Sequence, residues 1–127
     1  VRPMMKTGGS VLLCSSVVAR TGFAAHEAVA AAKAGVEGLM LAAAASYASK
    51  GVRFNCIAPG LTDTPMATAI TKNDAALKAS ESMQPTGRIG TAGDAARAAA
   101  YLLDPANEHM TGVTLGVDGG LGRVKAK

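Results

Sequence analysis

The sequence has no tryptophan, four aromatic residues in all and two cysteines among its 127 residues. Two cysteines are too few for the disulfide framework of a small secreted protein, so Cys14 and Cys56 are expected to be buried thiols in a reducing compartment. Lys and Arg form no run interleaved with aromatic residues, which are the groups that contact phosphates and stack on bases. The sequence therefore predicts neither a nucleic-acid partner nor a metal site.

Charged residues are also scarce, at 17% of the chain, while 49% of residues are apolar. Thirteen Lys and Arg exceed nine Asp and Glu, but much of the basic excess lies in two terminal stretches. A mean hydropathy of +0.23 excludes an intrinsically disordered chain and predicts one folded domain. The basic residues of the terminal stretches are Arg2, Lys6, Arg123, Lys125 and Lys127.

The sequence has no apolar run long enough to read as a membrane span. Its longest stretch of low charge, Val36–Ala48, contains Glu37 and is shorter than the ~20 apolar residues that a spanning helix needs. The first residues also lack the pattern of a secretory signal. We therefore predict a cytoplasmic protein with no membrane partner.

Two short apolar runs flank one long alanine-rich segment in the first half of the chain. Val11–Cys14 and Val52–Ile57 have the length and composition of buried strands, and Pro59–Gly60 stops the second. Between them, 12 of the 27 residues of Ala24–Lys50 are alanine, which predicts a helix. Gly51 follows at the position of a helix-terminating glycine.

The second half contains weaker and shorter elements. Residues 61–85 are predicted to be a loop with short helices at Pro65–Ile70 and Asp74–Met83. Thr91 is the expected N-cap of a helix over Ala92–Leu103, and Val113–Val117 is a third predicted strand. Strands that alternate with helices predict an α/β fold with about three parallel strands. The Asp118-Gly119-Gly120 segment is interpreted as a turn that closes the last strand.

Four motifs occur in order along almost the whole chain. They are GSVLLCSS at Gly9–Ser16 with KAGVEGL at Lys33–Leu39, VRFNCIAPG at Val52–Gly60 with TPM at Thr64–Met66, GRIG at Gly87–Gly90, and TGVTLGVDGG at Thr111–Gly120. In sequence and spacing they resemble the catalytic and C-terminal regions of the short-chain dehydrogenase/reductase family.

The resemblance implies a partial Rossmann-type, doubly wound parallel sheet, with residues 1–127 as the C-terminal half of the family's domain. It also implies NAD or NADP as the cofactor. The family's Gly-rich turn for the cofactor pyrophosphate lies between a strand and a helix. Here Gly8 and Gly9 precede a strand, so the pyrophosphate-binding segment is expected to be absent from this chain.

The resemblance assigns roles to several residues of this sequence. Ser16 would hold the substrate carbonyl, and Lys33 would bind the nicotinamide ribose and lower the pKa of a catalytic tyrosine. The tyrosine position, thirteen residues after Ser16 and four before Lys33, is occupied by Val29, which cannot transfer a proton. The remaining contacts to the nicotinamide or phosphates are expected from Pro59, Gly60, Thr62 and Thr64.

Several of these residues also have a simpler interpretation. Ser16 could cap the turn after a strand, and Lys33 could be an ordinary surface lysine. His26, seven residues before Lys33, matches the Tyr-to-Lys spacing of the enoyl-reductase branch and could act as acid or base, but a first-turn residue with no catalytic role is favoured. Tyr47 and Tyr101 are too far along the sequence to replace the missing tyrosine. Met66 and Met83 could line a substrate lid or fill gaps in the core.

The expected function is NAD(P)-dependent carbonyl reduction or alcohol oxidation on a small molecule, impaired or absent in this isolated chain. The alternative is a catalytically silent assembly or regulatory subunit with a reductase-like fold. Because Val11–Cys14 would leave an apolar sheet edge exposed, we expect the chain to associate with itself or with a full-length relative. The expected dimer or tetramer forms through the Ala24–Lys50 helix and the Val113–Val117 strand.

Overall fold

Helices and strands alternate along the chain in the computed structural model, which describes residues 1–125. Lys127, one of the basic residues of the terminal stretches, lies outside the described residues. The helices are α1 Met4–Thr7, α2 Glu27–Tyr47, α3 Thr68–Thr71, α4 Asp74–Met83 and α5 Ala92–Leu103, and the strands are β1 Gly9–Cys14, β2 Val52–Pro59, β3 Thr62–Asp63, β4 Gly90–Thr91 and β5 Thr114–Val117.

Three parallel strands form the main sheet, in the order β1-β2-β5. The register aligns Gly9 with Val52 and Cys56 with Thr114. Helices α2 and α5 both contact the sheet. The α/β fold with about three parallel strands is therefore confirmed, and within the described residues β1 is an edge strand of this sheet.

The core lies between α2 and the face of β2 that packs against it. Met40 and Ala44 of α2 contact Val52, Phe54 and Cys56 of β2, and all five are buried. Met40 is 1% exposed and Cys56 0%. Burial raises the pKa of the Cys56 thiol above its ordinary value because it disfavours the thiolate. This contact fixes α2, which carries several candidate site residues, against the sheet.

The opposite face of β2 carries a buried arginine with no carboxylate partner among residues 1–125. The Arg53 guanidinium donates hydrogen bonds to the carbonyls of Leu102 at 3.0 Å, Met110 at 3.1 Å and Asp104 at 3.1 Å. These carbonyls lie at and beyond the C-terminal end of α5, where a positive charge is favourable. Arg53 therefore joins α5 to the sheet, and Asn55 adds a 3.0 Å hydrogen bond to the Met110 carbonyl.

The N-terminus of α5 is capped as the sequence predicts. The Thr91 hydroxyl accepts from the Asp94 backbone amide, and the Asp94 carboxylate accepts from the Thr91 amide in return. Arg88 donates two hydrogen bonds to the same carboxylate, at 2.8 and 3.2 Å. These bonds from Arg88 and Thr91 hold the pKa of Asp94 well below its usual range.

Helix α2 begins later than the sequence predicts, at Glu27 instead of Ala24. The residue that prevents an earlier start is Ala25, which has φ of +61° in the left-handed region. A helix cannot continue through such a residue. The helix ends at Tyr47 and is followed by a 3₁₀ turn over Ala48–Lys50 before Gly51, whose φ of +67° confirms the predicted terminating glycine.

We expect Ala25→Gly to raise the free energy of unfolding by up to about 1 kcal/mol, because glycine adopts positive φ without the clash that alanine's Cβ creates. Urea denaturation measures the change. Ala24→Gly is the matched control, since Ala24 lacks a positive φ and should lose stability to the added freedom of the unfolded chain. Equal effects of the two variants would contradict the strain at Ala25.

Two further features differ from the sequence-based expectations. Strands β3 and β4 form a small parallel pair, with Thr62 opposite Gly90 and Asp63 opposite Thr91, that no two-residue sequence pattern could predict. Cys14 is exposed, so the expectation that both cysteines are buried is wrong for it. The reason is its place at the end of an edge strand.

The sequence analysis predicted that no segment is long and apolar enough to cross a membrane, and this prediction is also wrong. One helix of the structure meets both criteria, length and composition. Residues Glu27–Lys50 form a helical segment of 24 residues that contains an 18-residue window with mean hydropathy of 1.4. The sequence-based estimate stopped at charged residues that the helix in fact includes, such as Lys33. One such helix is a weak indication, because core helices pass the same test, and Met40 and Ala44 of this one pack on the sheet.

Candidate functional site

The carboxyl ends of the three parallel strands meet at one edge of the main sheet. Ser15 and Ser16 follow β1, Gly60 follows β2, and Asp118 follows β5. Backbone hydrogen bonds join these ends, from the Ser15 amide to the Ile57 carbonyl at 2.8 Å and from the Gly60 amide to the Val117 carbonyl at 3.1 Å. Open parallel sheets bind their ligands at this edge, so we place the candidate site here.

Ser16 caps a short 3₁₀ turn over Val17–Ala19. Its Oγ accepts from the Val18 amide at 3.4 Å and donates to the Pro59 carbonyl at 3.5 Å. The prediction that Ser16 caps the turn after β1 is therefore confirmed, and its catalytic role stays a prediction. Both contacts are at the long limit for hydrogen bonds, so the hydroxyl is only weakly held by the protein.

Lys33 is half-buried on α2, and its Nζ donates to the Cys14 carbonyl at 2.8 Å. An ammonium group has three N–H donors, so two remain for other partners. The contact brings Lys33 to the end of β1, next to the Ser15–Ser16 turn. Lys33 is therefore not a freely solvated surface lysine.

A cavity of about 390 Å³ opens beside this edge and contains both Ser16 and Val29. Its walls come from the loop after β1, the first turn of α2 and the segment 61–84, which we call the lid segment. Met66 and Met83 of the lid segment line the cavity and are 96% and 50% exposed. The expectation that these methionines fill gaps in the core is therefore wrong, and the lid interpretation remains a prediction.

His26 lines the same cavity and is the only titratable side chain that does so among the described residues. Its Nδ1 lies 2.8 Å from the Ala24 carbonyl, and its ring is 5.9 Å from that of Phe23. His26 immediately precedes α2, so the turn that contains the left-handed Ala25 sets its position. Tyr47 stacks on Phe54 in the core and lies outside this cavity, as does the exposed Tyr101.

Thr62 and Thr64 follow the Pro59–Gly60 turn but do not line this cavity. The Thr62 hydroxyl donates to the Gly60 carbonyl at 3.1 Å, and the Thr64 hydroxyl donates to the Thr62 carbonyl at 3.4 Å. Gly60 also has a packing reason to be glycine, since a Cβ there would lie 3.0 Å from the Asp118 Cα. The roles of Pro59, Gly60, Thr62 and Thr64 toward a cofactor remain predictions.

The sequence reasoning missed Glu37, which is buried one helical turn beyond Lys33. Its carboxylate accepts from the Ser15 hydroxyl at 2.8 Å and from Arg20 Nε at 2.5 Å. A buried carboxylate needs such partners to offset its loss of hydration. Glu37 thus fixes the loop after β1, including Ser16, against α2. Its signal in the sequence is an isolated acid within the apolar part of a helix.

Asp118 and Gln84 are two further polar residues that sequence reasoning did not assign to the site. The Asp118 carboxylate accepts from the amides of Gly120 and Gly122, both at 3.0 Å, which confirms the turn predicted after β5. Gln84 is 3% exposed and lines the cavity. Nothing in the sequence around Gln84 indicates that its side chain is buried.

The described residues at this edge include donors and acceptors that fit the nicotinamide ribose of a dinucleotide, but they include no glycine-rich turn that could hold its phosphates. Lys33 offers two uncommitted N–H donors, and the Thr62 and Thr64 oxygens can still accept hydrogen bonds. Within residues 1–125, Gly8 and Gly9 lead into β1 and no glycine-rich turn connects a strand to a helix. The described residues therefore fit only the nicotinamide side of such a ligand.

A protein-family model described as enoyl-(acyl carrier protein) reductase matches residues 1–122. The chain is 40% identical over 123 residues to a 3-oxoacyl-(acyl-carrier-protein) reductase of Chlamydia pneumoniae, covering 95% of this chain and 48% of that protein. It is 37% identical over 121 residues to cis-4-hydroxycyclohexanecarboxylate dehydrogenase of Sinomonas cyclohexanicum, with 94% and 48% covered. The chain thus spans about half the length of the curated relatives it matches.

Solved structures of similar proteins likewise match this chain over about half of their own length. A putative gluconate dehydrogenase from Agrobacterium tumefaciens superposes with a TM-score of 0.92 at 27% identity, covering 98% of this chain and 49% of that one. A putative 2-deoxy-D-gluconate 3-dehydrogenase from the same organism, with bound NADP, superposes with a TM-score of 0.87 at 34% identity, covering 94% and 50%. Both similarities extend over nearly all of this chain.

Proposed function

This chain belongs to the short-chain dehydrogenase/reductase family, and on that premise we propose that it is the C-terminal half of an NAD(P)-dependent oxidoreductase domain. The proposed reaction is reduction of a carbonyl or oxidation of an alcohol on a small molecule. The observation that carries the proposal is that Ser16 and Val29 line one cavity at the carboxyl edge of the sheet, with Lys33 one turn beyond Val29.

The cofactor is proposed to be NAD or NADP, because two of the similar solved structures hold NADP. When bound, the nicotinamide would supply hydride chemistry. In this chain Lys33 would hold the ribose through its two uncommitted N–H donors, and Pro59, Gly60, Thr62 and Thr64 would face the nicotinamide side. The choice between NAD and NADP depends on residues that this chain does not contain.

The cavity is proposed to hold the substrate, with the weakly committed Ser16 hydroxyl as donor to the substrate oxygen. A proton must then reach or leave that oxygen. The isopropyl group of Val29 cannot provide it, and a positioned acid or base commonly contributes 10²–10⁴-fold to the rate. We therefore propose that the isolated chain is impaired or inactive as an oxidoreductase.

The test is oxidation of NADH and NADPH by the purified chain, followed by absorbance, with a panel of ketones and 3-oxoacyl thioesters. We expect no turnover above the background without protein. A full-length member of the family, assayed in parallel, is the positive control. Turnover within tenfold of that control would contradict the proposal.

A second candidate function is a catalytically silent assembly or regulatory subunit. The observation that favours it is the exposed apolar surface of α2, where Leu39 is 62% and Leu41 is 56% exposed. Several alanines and the glycines Gly35 and Gly38 lie on the same helix and permit close approach of another helix. The partner would be a second copy or a full-length relative, in a soluble and cytoplasmic complex.

We expect light scattering at micromolar concentration to give the mass of a dimer or tetramer, assembled through α2 and β5. Large contiguous apolar patches are rare on soluble monomers, so burial of the α2 surface is favourable. Leu39→Glu should shift the mass toward the monomer, because it places a charge on this surface. A compact monomer of the unchanged sequence would contradict this prediction.

A further inference from the structure

His26 is the titratable side chain of the cavity to which the proposed function gives no role. It lines the cavity together with Ser16 and Val29, and it is exposed, so its ring is accessible to a ligand. It occupies the N-cap position of α2, but its side chain makes no capping hydrogen bond. That position favours Ser, Thr, Asp and Asn, whose side-chain oxygens cap a helix. Capping therefore does not explain the histidine.

One ring nitrogen of His26 is held by the protein, and the other is free. Nδ1 lies 2.8 Å from the Ala24 carbonyl. A carbonyl oxygen only accepts hydrogen bonds, so Nδ1 carries the proton of the neutral ring. Nε2 then has a lone pair, and it makes no hydrogen bond to residues 1–125. An imidazole held in this way accepts and returns a proton through its second nitrogen.

The backbone before His26 adopts a costly conformation that fixes the ring. Ala25 is the only non-glycine residue with positive φ among residues 1–125, at +61°. It separates Ala24, whose carbonyl holds Nδ1, from His26 itself. A residue with a Cβ adopts this conformation at a cost, and such costs are concentrated where the surrounding structure imposes the position of a functional group. The ring of Phe23, 5.9 Å away, packs beside the imidazole.

The imidazole belongs to the wall between two cavities. Besides the cavity with Ser16, His26 borders a second cavity of about 350 Å³ that contains Arg20 and Glu27. The first cavity has mostly apolar walls and contains the Ser16 hydroxyl, whose contacts with the protein are weak. Small-molecule sites are mostly apolar with a few polar groups, so a carbonyl substrate fits the first cavity better than the charged second one.

We propose that His26 exchanges a proton with the substrate oxygen that Ser16 holds, in place of the phenol that is missing at position 29. In carbonyl reduction the Nε2–H bond of the imidazolium breaks and an O–H bond forms on the substrate oxygen, as the substrate carbon receives hydride from the reduced cofactor. The neutral ring then regains a proton from water, since the side chain is exposed. Alcohol oxidation runs the same steps in reverse. This inference rests on the proposed function, because it assigns the proton carrier of the same reaction.

The first test needs no cofactor and observes the imidazole directly. The chain has two histidines, so ¹⁵N-histidine labelling gives signals from two rings, and His26→Gln assigns them. At about pH 8.5, above the usual titration range of imidazole, we expect the Nδ1–H tautomer for His26. The probes are cyclohexanol, whose hydroxyl donates a hydrogen bond, and methylcyclohexane, which has a similar shape and no hydroxyl.

Cyclohexanol should move the Nε2 resonance of His26 upfield and saturably, because Nε2 accepts its hydrogen bond. Methyl-labelled methionine reports in parallel on occupancy of the first cavity through Met66 and Met83. The methyl and Nε2 titrations should have the same midpoint, which locates the alcohol in the cavity that contains Ser16. Methylcyclohexane should shift the methyl signals and leave Nε2 unmoved.

The second test separates proton transfer from a structural role of His26. The unchanged chain and Val29→Tyr are each mixed with the N-terminal half of a family member, and NAD(P)H oxidation with a ketone is followed by absorbance. We expect His26→Gln to lower the rate of the unchanged chain by about tenfold or more, because glutamine is polar but transfers no proton. In Val29→Tyr the same substitution should lower the rate by less than about threefold, because the phenol provides the proton.

Glu27→Gln is the matched control for the neighbouring carboxylate. Glu27 borders the second cavity and not the first, so this variant should leave both rates unchanged. A large loss in Glu27→Gln would overturn the assignment to His26. Equal losses from His26→Gln in the two chains would overturn it as well, since they would indicate a structural role.

An Nε2 resonance that stays unmoved while the methyls shift would overturn the proposal, as would methyls that respond to neither probe. No turnover by the unchanged chain beside an active Val29→Tyr would overturn the role of His26 and leave the oxidoreductase function in place. No turnover by either chain, although the two halves form a complex, would contradict the oxidoreductase function together with the role of His26. A shift of Nε2 would then report alcohol binding alone.

Discussion

Val29→Tyr is expected to raise NAD(P)H-linked carbonyl reduction by about 10²–10⁴-fold over the unchanged chain when each is mixed with the N-terminal half of a family member. The substitution places a phenol in the cavity that contains Ser16, four residues before Lys33 on one face of α2. The Lys33 ammonium would stabilise the phenolate, which lowers the phenol pKa toward the working pH. Absorbance of the reduced cofactor measures the rate.

The matched control is Val29→Phe, which adds the same ring without the hydroxyl group. If Val29→Phe gains as much activity as Val29→Tyr, ring packing and not proton transfer explains the gain. If neither variant gains activity although the two halves form a complex, the oxidoreductase proposal loses its support. The assembly-subunit function would then account better for this chain.

Met40→Ala is expected to lower the free energy of unfolding by about 2–5 kcal/mol, the range for truncation of a fully buried large side chain. Met40 is a residue of α2 that is 1% exposed, and its side chain packs on the face of β2 that contains Phe54 and Cys56. The substitution leaves a cavity in the largest cluster of buried side chains described here. Urea denaturation, with the slope compared between variants, measures the loss.

Met66→Ala makes the same chemical change at a position that is 96% exposed. We expect it to change stability by no more than about 0.5 kcal/mol, as for most surface substitutions. Equal losses for Met40→Ala and Met66→Ala would contradict the packing of α2 on β2.

Local sequence patterns were enough to predict most of the elements. The apolar run of Val11–Cys14 correctly indicated a strand, but the expectation that this strand is buried was wrong, because β1 is an edge strand whose residues are half-buried or exposed. The alanine-rich segment indicated α2, and Thr91 indicated the start of α5, since these signals act within a few residues. The start of α2 was misplaced by three residues because the left-handed conformation of Ala25 has no signal in an alanine-rich sequence.

The candidate site was only partly predictable for the same reason. Ser16, Val29 and Lys33 were singled out by the resemblance to the short-chain dehydrogenase/reductase family, and the fold brings Ser16 and Val29 into one cavity. Glu37 and Gln84 were not found, because each occurs among ordinary helix or loop residues. Their importance arises from partners or neighbours distant in the sequence, Arg20 for Glu37 and Gly119 for Gln84.

The sequence by itself determined the family and the order of the main elements, because both depend on residue identity and spacing alone. Only the tertiary structure decided which polar groups are buried and which remain without a partner. Burial depends on long-range packing, such as the contact of the Gln84 amide with the turn after β5, and such contacts join residues whose separation along the chain carries no periodic signal.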